Sequence, residues 1–342
     1  MSPRLKSFLQ YAIILGVTVL LIYLSLRGLK VAEGENKWDY LRKTWAAADK
    51  LWLFIMAALS LISHVIRAER WNMLLLPMGY KAKLSHSFHS LMVGYLVNLV
   101  IPRGGELSRC YNLYKLSKIP VIESFGTVVV ERIIDLFFLI ILIAISFAFE
   151  SRKLFAFIET LPIDMQGSSR MPTLFFIATA GLILLLIVYW VIKKNKKLNA
   201  VFVKTWKSFI TGLLSVRKLE RKGLFILYSC VIWLLYFAMS FAVLKAFPAT
   251  EDLNFTAVLS LFAIGAIAMA APLPGGMGSY HVLVPQGLFF LYGIPLTEAV
   301  AFTFIFHGWQ TTLFIAFGAL SLIITSLIVK RNAAKKHEPV EL

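Results

Sequence analysis

The run Glu131-Arg132-Ile133-Ile134-Asp135 puts three charged residues inside an apolar stretch, 125–149. Glu131 and Asp135 are four apart, so a helix carries them on one face. An ion at the centre of a bilayer costs about 2.5–3.5 kcal/mol on insertion scales, so these carboxylates need partners. The nearest basic candidates lie in Pro102-Arg103-Gly104-Gly105-Glu106-Leu107-Ser108-Arg109. Here the proline and glycines break the helix. A new helix starting at Gly104 offers free backbone N–H groups and a positive dipole end. Such an end accommodates anions, phosphate included. Arg103 can add a planar bidentate clamp, with Arg109 further along. Arg103 could equally snorkel to the surface, but Glu106 beside it favours an internal network. The expected arrangement pairs Glu131 and Asp135 with Arg103 or Arg109 across the break. Such pairs either hold the helices together or contact a substrate, and a proton-coupling role for either carboxylate is a third reading.

A second break follows at Pro272-Leu273-Pro274-Gly275-Gly276-Met277-Gly278. It lacks a Gly-Lys-[Ser/Thr] ending, so it gives no support to nucleotide binding. Its glycines permit tight turning and close backbone approach. His281 starts the next helix, either as a head-group contact or as a buried, hydrogen-bonded histidine. His307, with Gln310, could face the same cavity. The candidate substrate-binding set joins Arg103, Gly104, Gly105, Glu106, Arg109, Glu131, Arg132 and Asp135 to Pro274, Gly275, Gly276 and His281. His86 and His89 are three apart with no Cys or acid to complete a metal set, so neither metal nor cofactor is expected. No Ser-His-Asp or Cys-His pattern is present. Cys110 and Cys230 lack redox spacing and read as packing residues.

These residues must be positioned by membrane helices. Of 342 residues, 59% are hydrophobic, which is membrane composition. Apolar segments fall at 5–26, 51–66, 87–101, 125–149, 172–192, 224–247, 255–271, 279–293 and 296–328. The first follows Arg4 and Lys6 but has no small-x-small cleavage site, so it reads as a retained helix. Trp52, Trp71 and Trp190 read as interface anchors. The net charge of +17 sits in short loops, so it reads as topology signalling and attraction to anionic lipid, not nucleic-acid binding.

The segment 193–222 holds ten Lys/Arg against Glu220 and reads as a basic cytoplasmic loop. The N-terminus and the tail after 329 read cytoplasmic as well, and 248–254 reads outside. The stretch 27–50 also reads outside, as a short surface helix. Arg67, Arg70, Lys81 and Lys83 on one side of 87–101, and the basic stretch 103–118 on the other, place both flanks in the cytoplasm. That predicts a re-entrant hairpin with its tip at Pro102–Gly105. The second half repeats this upside down, with 255–271 and 279–293 as the arms. The expected fold is therefore an all-α polytopic helix bundle, a single membrane domain over 1–342. Its halves, 51–149 and 224–328, form an inverted repeat. Broken segments in corresponding positions of two halves point to a transporter, with the breaks lining a cavity.

The motifs Arg67-Ala68-Glu69-Arg70-Trp71, Pro102-Arg103-Gly104-Gly105-Glu106, Glu131-Arg132-Ile133-Ile134-Asp135 and Pro272–Gly278 occur in an order that resembles one known family. It is the flippase-like membrane domain of lysylphosphatidylglycerol synthases of the multiple peptide resistance factor type. The resemblance implies translocation of aminoacylated phosphatidylglycerol or another lipid-linked substrate between leaflets of a bacterial inner membrane. Membrane lipids, anionic phospholipid above all, are the implied partners, and homo-oligomerisation stays open. A dozen polar residues follow Lys330, so no lysyl-transfer domain is expected. The alternatives are a membrane-embedded transferase acting on a phospholipid or polyisoprenyl head group, with Glu131 and Asp135 holding a divalent ion, and an accessory protein that organises membrane enzymes.

Overall fold

Asn36 opens the first helix that is described along its length in the structure, a computed structural model that describes residues 36–160, 196–270 and 273–335 together with Tyr23 and Lys194. Its side chain accepts from the Trp38 N–H at 3.0 Å and starts α1 (Lys37–Ala47), within the stretch expected to form a surface helix. Asp49 caps the next helix in the same way, through the Leu51 N–H at 2.8 Å. α2 (Lys50–Leu75) then meets no glycine or proline until Pro77 and Gly79. The apolar segment 51–66 therefore continues through Arg67 and Arg70. Both are buried helix residues and not members of a cytoplasmic loop, contrary to their reading as topology signals. Trp71 is buried with them and is not an interface anchor.

The remaining described elements are also helices: α3 (Leu84–Asn98), α4 (Gly104–Ser117), α5 (Val121–Thr160), α6 (Lys196–Leu213), α7 (Lys222–Lys245), α8 (Phe255–Ala270), α9 (Ser279–Tyr292) and α10 (Leu296–Lys335). Three stretches, Lys50–Met78, Lys222–Lys245 and Leu296–Ala333, are long and apolar enough to cross a membrane. The protein is thus a helical membrane protein. α5 and α10 have 40 residues each, about 60 Å at 1.5 Å per residue and twice the hydrocarbon thickness. α5 is interrupted at Glu150, where φ −131° and ψ 35° leave the helical region. The apolar segments 5–26 and 172–192 lie outside the described residues, apart from Tyr23.

The basic segment 193–222 is not a loop where it is described. It forms α6 and a tight 3-10 turn, Leu214–Lys218. Gly212 of α6 meets Gly126 of α5 so closely that a Cβ on Gly212 would stand 2.1 Å from the Glu123 carbonyl oxygen. Lys204 and Lys207 stay exposed.

Two hairpins organise the interior. α3 folds back on α4, and α8 on α9, while both α5 and α10 pack against each hairpin. In the first, Gly94 and Gly105 let two backbones meet: a Cβ on Gly105 would lie 2.3 Å from the Gly94 carbonyl oxygen and 2.5 Å from Asn98 Nδ2. Small residues serve this purpose at helix contacts in membranes, where there is no water to drive association. α10 crosses α3 at Gly318, where a Cβ would be 2.6 Å from Leu96 Cβ.

Gly105→Ala should force the first hairpin apart and destabilise the purified protein by about 1–3 kcal/mol, as overpacking does. Gly308→Ala, at a position with open space around it, should leave Tm unchanged or raise it. A thermal melt in detergent compares the two, and equal melts would contradict the close approach.

Candidate functional site

α2 supplies Arg67 and Arg70, one turn apart on one face. α5 supplies Glu131 and Asp135 from its own face, and α4 supplies Arg109. Arg109 reaches the interior because Gly94 admits α4: a Cβ on Gly94 would stand 3.2 Å from Arg109 Cβ. The five side chains form one network. Arg70 Nη2 donates to Asp135 Oδ1 at 2.9 Å and to Glu131 Oε1 at 3.4 Å, and its Nη1 donates to Ser229 Oγ of α7 at 3.1 Å. Arg109 Nη2 donates to Glu131 Oε2. Arg67 Nη2 lies 3.6 Å from Asp135 Oδ2, and Arg132 Nη2 lies 3.1 Å from the same oxygen. Every oxygen of the two carboxylates is thus matched by a guanidinium. Glu131 and Arg70 are fully buried; Asp135 and Arg132 form the more open edge.

Aromatic groups hold these arginines in place. Trp71 lies under Arg109, with the guanidinium carbon 4.6 Å from the ring centre, and its Nε1 donates to Thr127 Oγ1 at 2.9 Å. Arg67 Nη1 donates to the Tyr95 hydroxyl at 2.7 Å and to the Tyr236 hydroxyl at 3.4 Å. Tyr95 stacks on Phe314 of α10 and meets His64 at a tilt, and the His64 Nε2 lies 3.2 Å from Ser60 Oγ.

The network is rich in charge and in donors. Arg67, Arg70, Arg109 and Arg132 face Glu131 and Asp135, an excess of two positive charges. Counting Glu106, whose Oε2 is buried without a partner, still leaves one. The Nε groups of all four arginines are buried without a hydrogen-bond partner. Such unmade donors cost about 1–3 kcal/mol each.

The expected pairing of Glu131 with Arg109 is present. The other partners are Arg67, Arg70 and Arg132, and Arg103 is not among those of Glu131 or Asp135. Arg103 stands exposed at the hairpin tip in a left-handed conformation, φ 58°, as the N-cap of α4. The helix start is also less free than expected. The Gly104 N–H donates to the Ile101 carbonyl at 3.0 Å, and the Gly105 N–H to Asn98 Oδ1 at 2.7 Å.

The second break makes a separate group. Pro274, Gly275 and Gly276 form a 3-10 turn, with Gly276 at φ 71° and Gly278 at φ 97°. His281 is buried; its Nδ1 accepts from the Gly278 N–H at 3.4 Å, and its ring lies 4.8 Å from that of His307. His86 and His89 bond to different helices, at Ser117 Oγ and Ser321 Oγ. Among the described residues no three His, Cys, Asp or Glu side chains gather into a metal set.

Arg67, Arg70, Tyr95 and Tyr236 are the members that sequence reasoning did not assign to the site. The available signal was that Arg67 and Arg70 share a helical face in a stretch with no breaker before Pro77. Removing one partner of a buried pair strands the other, at about 3–5 kcal/mol. Arg70→Met should therefore collapse Tm, whereas Arg132→Ala, at the open edge, should cost under about 1 kcal/mol. Melts of both variants in detergent check this ranking; a tolerant Arg70→Met would remove the network from the core.

The profile described as the lysylphosphatidylglycerol synthase TM region matches residues 7–318. A UPF0104 membrane protein of Methanocaldococcus jannaschii is 32% identical over 100 residues, 28% of this chain and 30% of that protein. This match thus spans less than a third of that relative. UPF0104 membrane proteins of Methanothermobacter thermautotrophicus and Pyrococcus horikoshii are 25% and 24% identical, over 78% and 85% of this chain and 81% and 89% of their own lengths. All three are archaeal, so they give no preference for a bacterial membrane. No solved structure matches. The profile covers nearly the whole chain, with the Arg67–Trp71, Pro102–Glu106, Glu131–Asp135 and Pro272–Gly278 motifs inside it, and the protein belongs to the lysylphosphatidylglycerol synthase TM region family.

Proposed function

We propose that the protein moves an anionic phospholipid, or a lipid-linked phosphate, between the leaflets of the plasma membrane. The observation that carries this reading is the buried network with more guanidinium charge and more N–H donors than its carboxylates satisfy. A phosphate ester offers the missing acceptor oxygens and the missing negative charge. The open Arg132–Asp135 edge adjoins Ile133, Leu136, Phe137 and Ile140, all outward-facing on α5. A head group entering at this edge would leave its acyl chains along that stripe. The family description names lysylphosphatidylglycerol, a lipid whose phosphate is an anion of this kind. The four carboxylate oxygens are held by guanidinium groups, which suits binding better than the divalent-ion chemistry of a transferase.

In this reading the two hairpins are re-entrant from opposite faces and act as an inverted repeat, so that alternating access runs through the network. The basic α6 and the C-terminal tail lie on the cytoplasmic side, as does the N-terminus. Arg103, at the tip of the first hairpin, meets the head group on entry, and the Pro274–Gly276 turn closes the other half of the cavity.

The test is leaflet translocation in proteoliposomes, with fluorescent phosphatidylglycerol, its lysyl form and phosphatidylcholine. The anionic or lysyl lipid should move faster than phosphatidylcholine. Arg67→Lys keeps the charge but loses the planar fork, and should slow movement roughly tenfold, the worth of one charge-assisted hydrogen bond. Arg103→Ala separates the tip from the interior: a loss there as well extends the site to the hairpin tip. Equal movement of all three lipids overturns the reading, and so does folded protein that moves neither these nor a fluorescent polyisoprenyl phosphate.

A further inference from the structure

Beyond Glu131 and Asp135, α5 carries a buried carboxylate at the position where its helix breaks. Glu150 lies about 28 Å from Glu131 along the axis at 1.5 Å per residue. Its side chain is 7% exposed. Oε1 accepts from Thr256 Oγ1 at 2.8 Å and Oε2 from Ser260 Oγ at 2.9 Å, both on α8. The Tyr292 hydroxyl, at the end of α9, also donates to Oε2. Thr256 Oγ1 lies 2.9 Å from Asn254 Oδ1 too, so its one hydrogen serves two acceptors. The centre is thus a shell of oxygen atoms around a single negative charge. The broken end of the preceding helical stretch adds its negative dipole.

A positive group already sits there. Lys153 Nζ is 3.2 Å from Glu150 Oε1 and 4.8 Å from the centre of the Tyr292 ring. Its side chain is 49% exposed, so the ammonium can exchange the carboxylate for water at little cost. Oxygen ligands from a carboxylate, hydroxyls and a broken helix end suit a hard cation. One carboxylate balances one charge.

We propose that Glu150, Thr256, Ser260 and Tyr292 bind a small monovalent metal cation, with the Lys153 ammonium as a tethered competitor. The site joins α5 to both arms of the second hairpin, so an ion there fixes that hairpin against α5. It stands apart from the lipid reading, because no residue of the arginine network takes part.

The experiment is a thermal melt of the purified protein in detergent with NaCl titrated against choline chloride at constant ionic strength. Sodium should raise Tm saturably. Lys153→Met should lower the half-saturating sodium concentration, and Glu150→Gln should abolish the effect. If Glu150→Gln does not fold, Ser260→Ala takes its place and should raise the half-saturating concentration. No sodium-specific rise in either wild type or Lys153→Met overturns the proposal and leaves Glu150 as a clasp between helices. A rise that persists unchanged in Glu150→Gln or in Ser260→Ala overturns it as well. The assay involves no lipid movement, so its failure leaves the lipid reading standing.

Discussion

Arg70 and Glu131 sit where neither touches solvent, 3.4 Å apart, in a protein whose surroundings are hydrocarbon. Taking both ions out of water costs several kcal/mol each, and their attraction roughly returns that sum only when the geometry is good. The pair is therefore a poor source of net stability and a strong constraint on shape. Arg70 must also reach Asp135 and Ser229, and Glu131 must also reach Arg109. These contacts fix how α2, α4, α5 and α7 rotate against one another. A slip of any of the four would leave a charge alone in a low-dielectric interior.

The glycine contacts are the condition for this geometry. Arg109 is on a short, rather polar helix that would not insert beside α3 unless backbone could touch backbone at Gly94 and Gly105. The Asn98 side chain then reaches the Gly105 N–H, so the hairpin satisfies this donor from within itself. The Pro-Arg-Gly-Gly sequence thus appears in the structure mainly as a device for delivering Arg109. The donors without partners sit elsewhere, at the Nε groups of the network arginines.

The parts of this design that were legible in the sequence are those written in local chemistry. Both Pro-Gly-Gly breaks fall where proline and glycine stop a helix, at Pro102–Gly105 and at Pro274–Gly278. The Glu131–Asp135 spacing placed both carboxylates on one face, and Arg109 was among the partners expected. Arg67 and Arg70 were misread because a rule that counts Lys and Arg by chain position cannot distinguish a cation that leaves the membrane from one neutralised within it. Only the late helix stop, at Pro77 and Gly79, carried that information. The helix within 193–222 was missed for a related reason: the charges hid Gly212, whose fit against Gly126 holds α6 to α5. Nothing local marks Glu150. No proline or glycine lies near it, and its break coincides with hydroxyls supplied from Thr256, Ser260 and Tyr292, far along the chain.

α5 therefore presents two centres of opposite character on one element. At Glu131 and Asp135 the surplus is in cationic donors; at Glu150 it is in oxygen around a single negative charge. Lys153 partly meets the second surplus from its more exposed edge, whereas Arg132, at the open edge of the first, adds to the surplus there. A cation at the Glu150 centre would replace a tethered group of like charge, whereas an anion at the first centre would meet donors that the carboxylates leave unmatched. Either ligand shifts the arrangement only by the difference in its affinity for the two states of the hairpin it touches. The first hairpin meets α5 through Arg109 and the second through Glu150. Ligands at the two centres would thus act on different hairpins through one shared helix, α5.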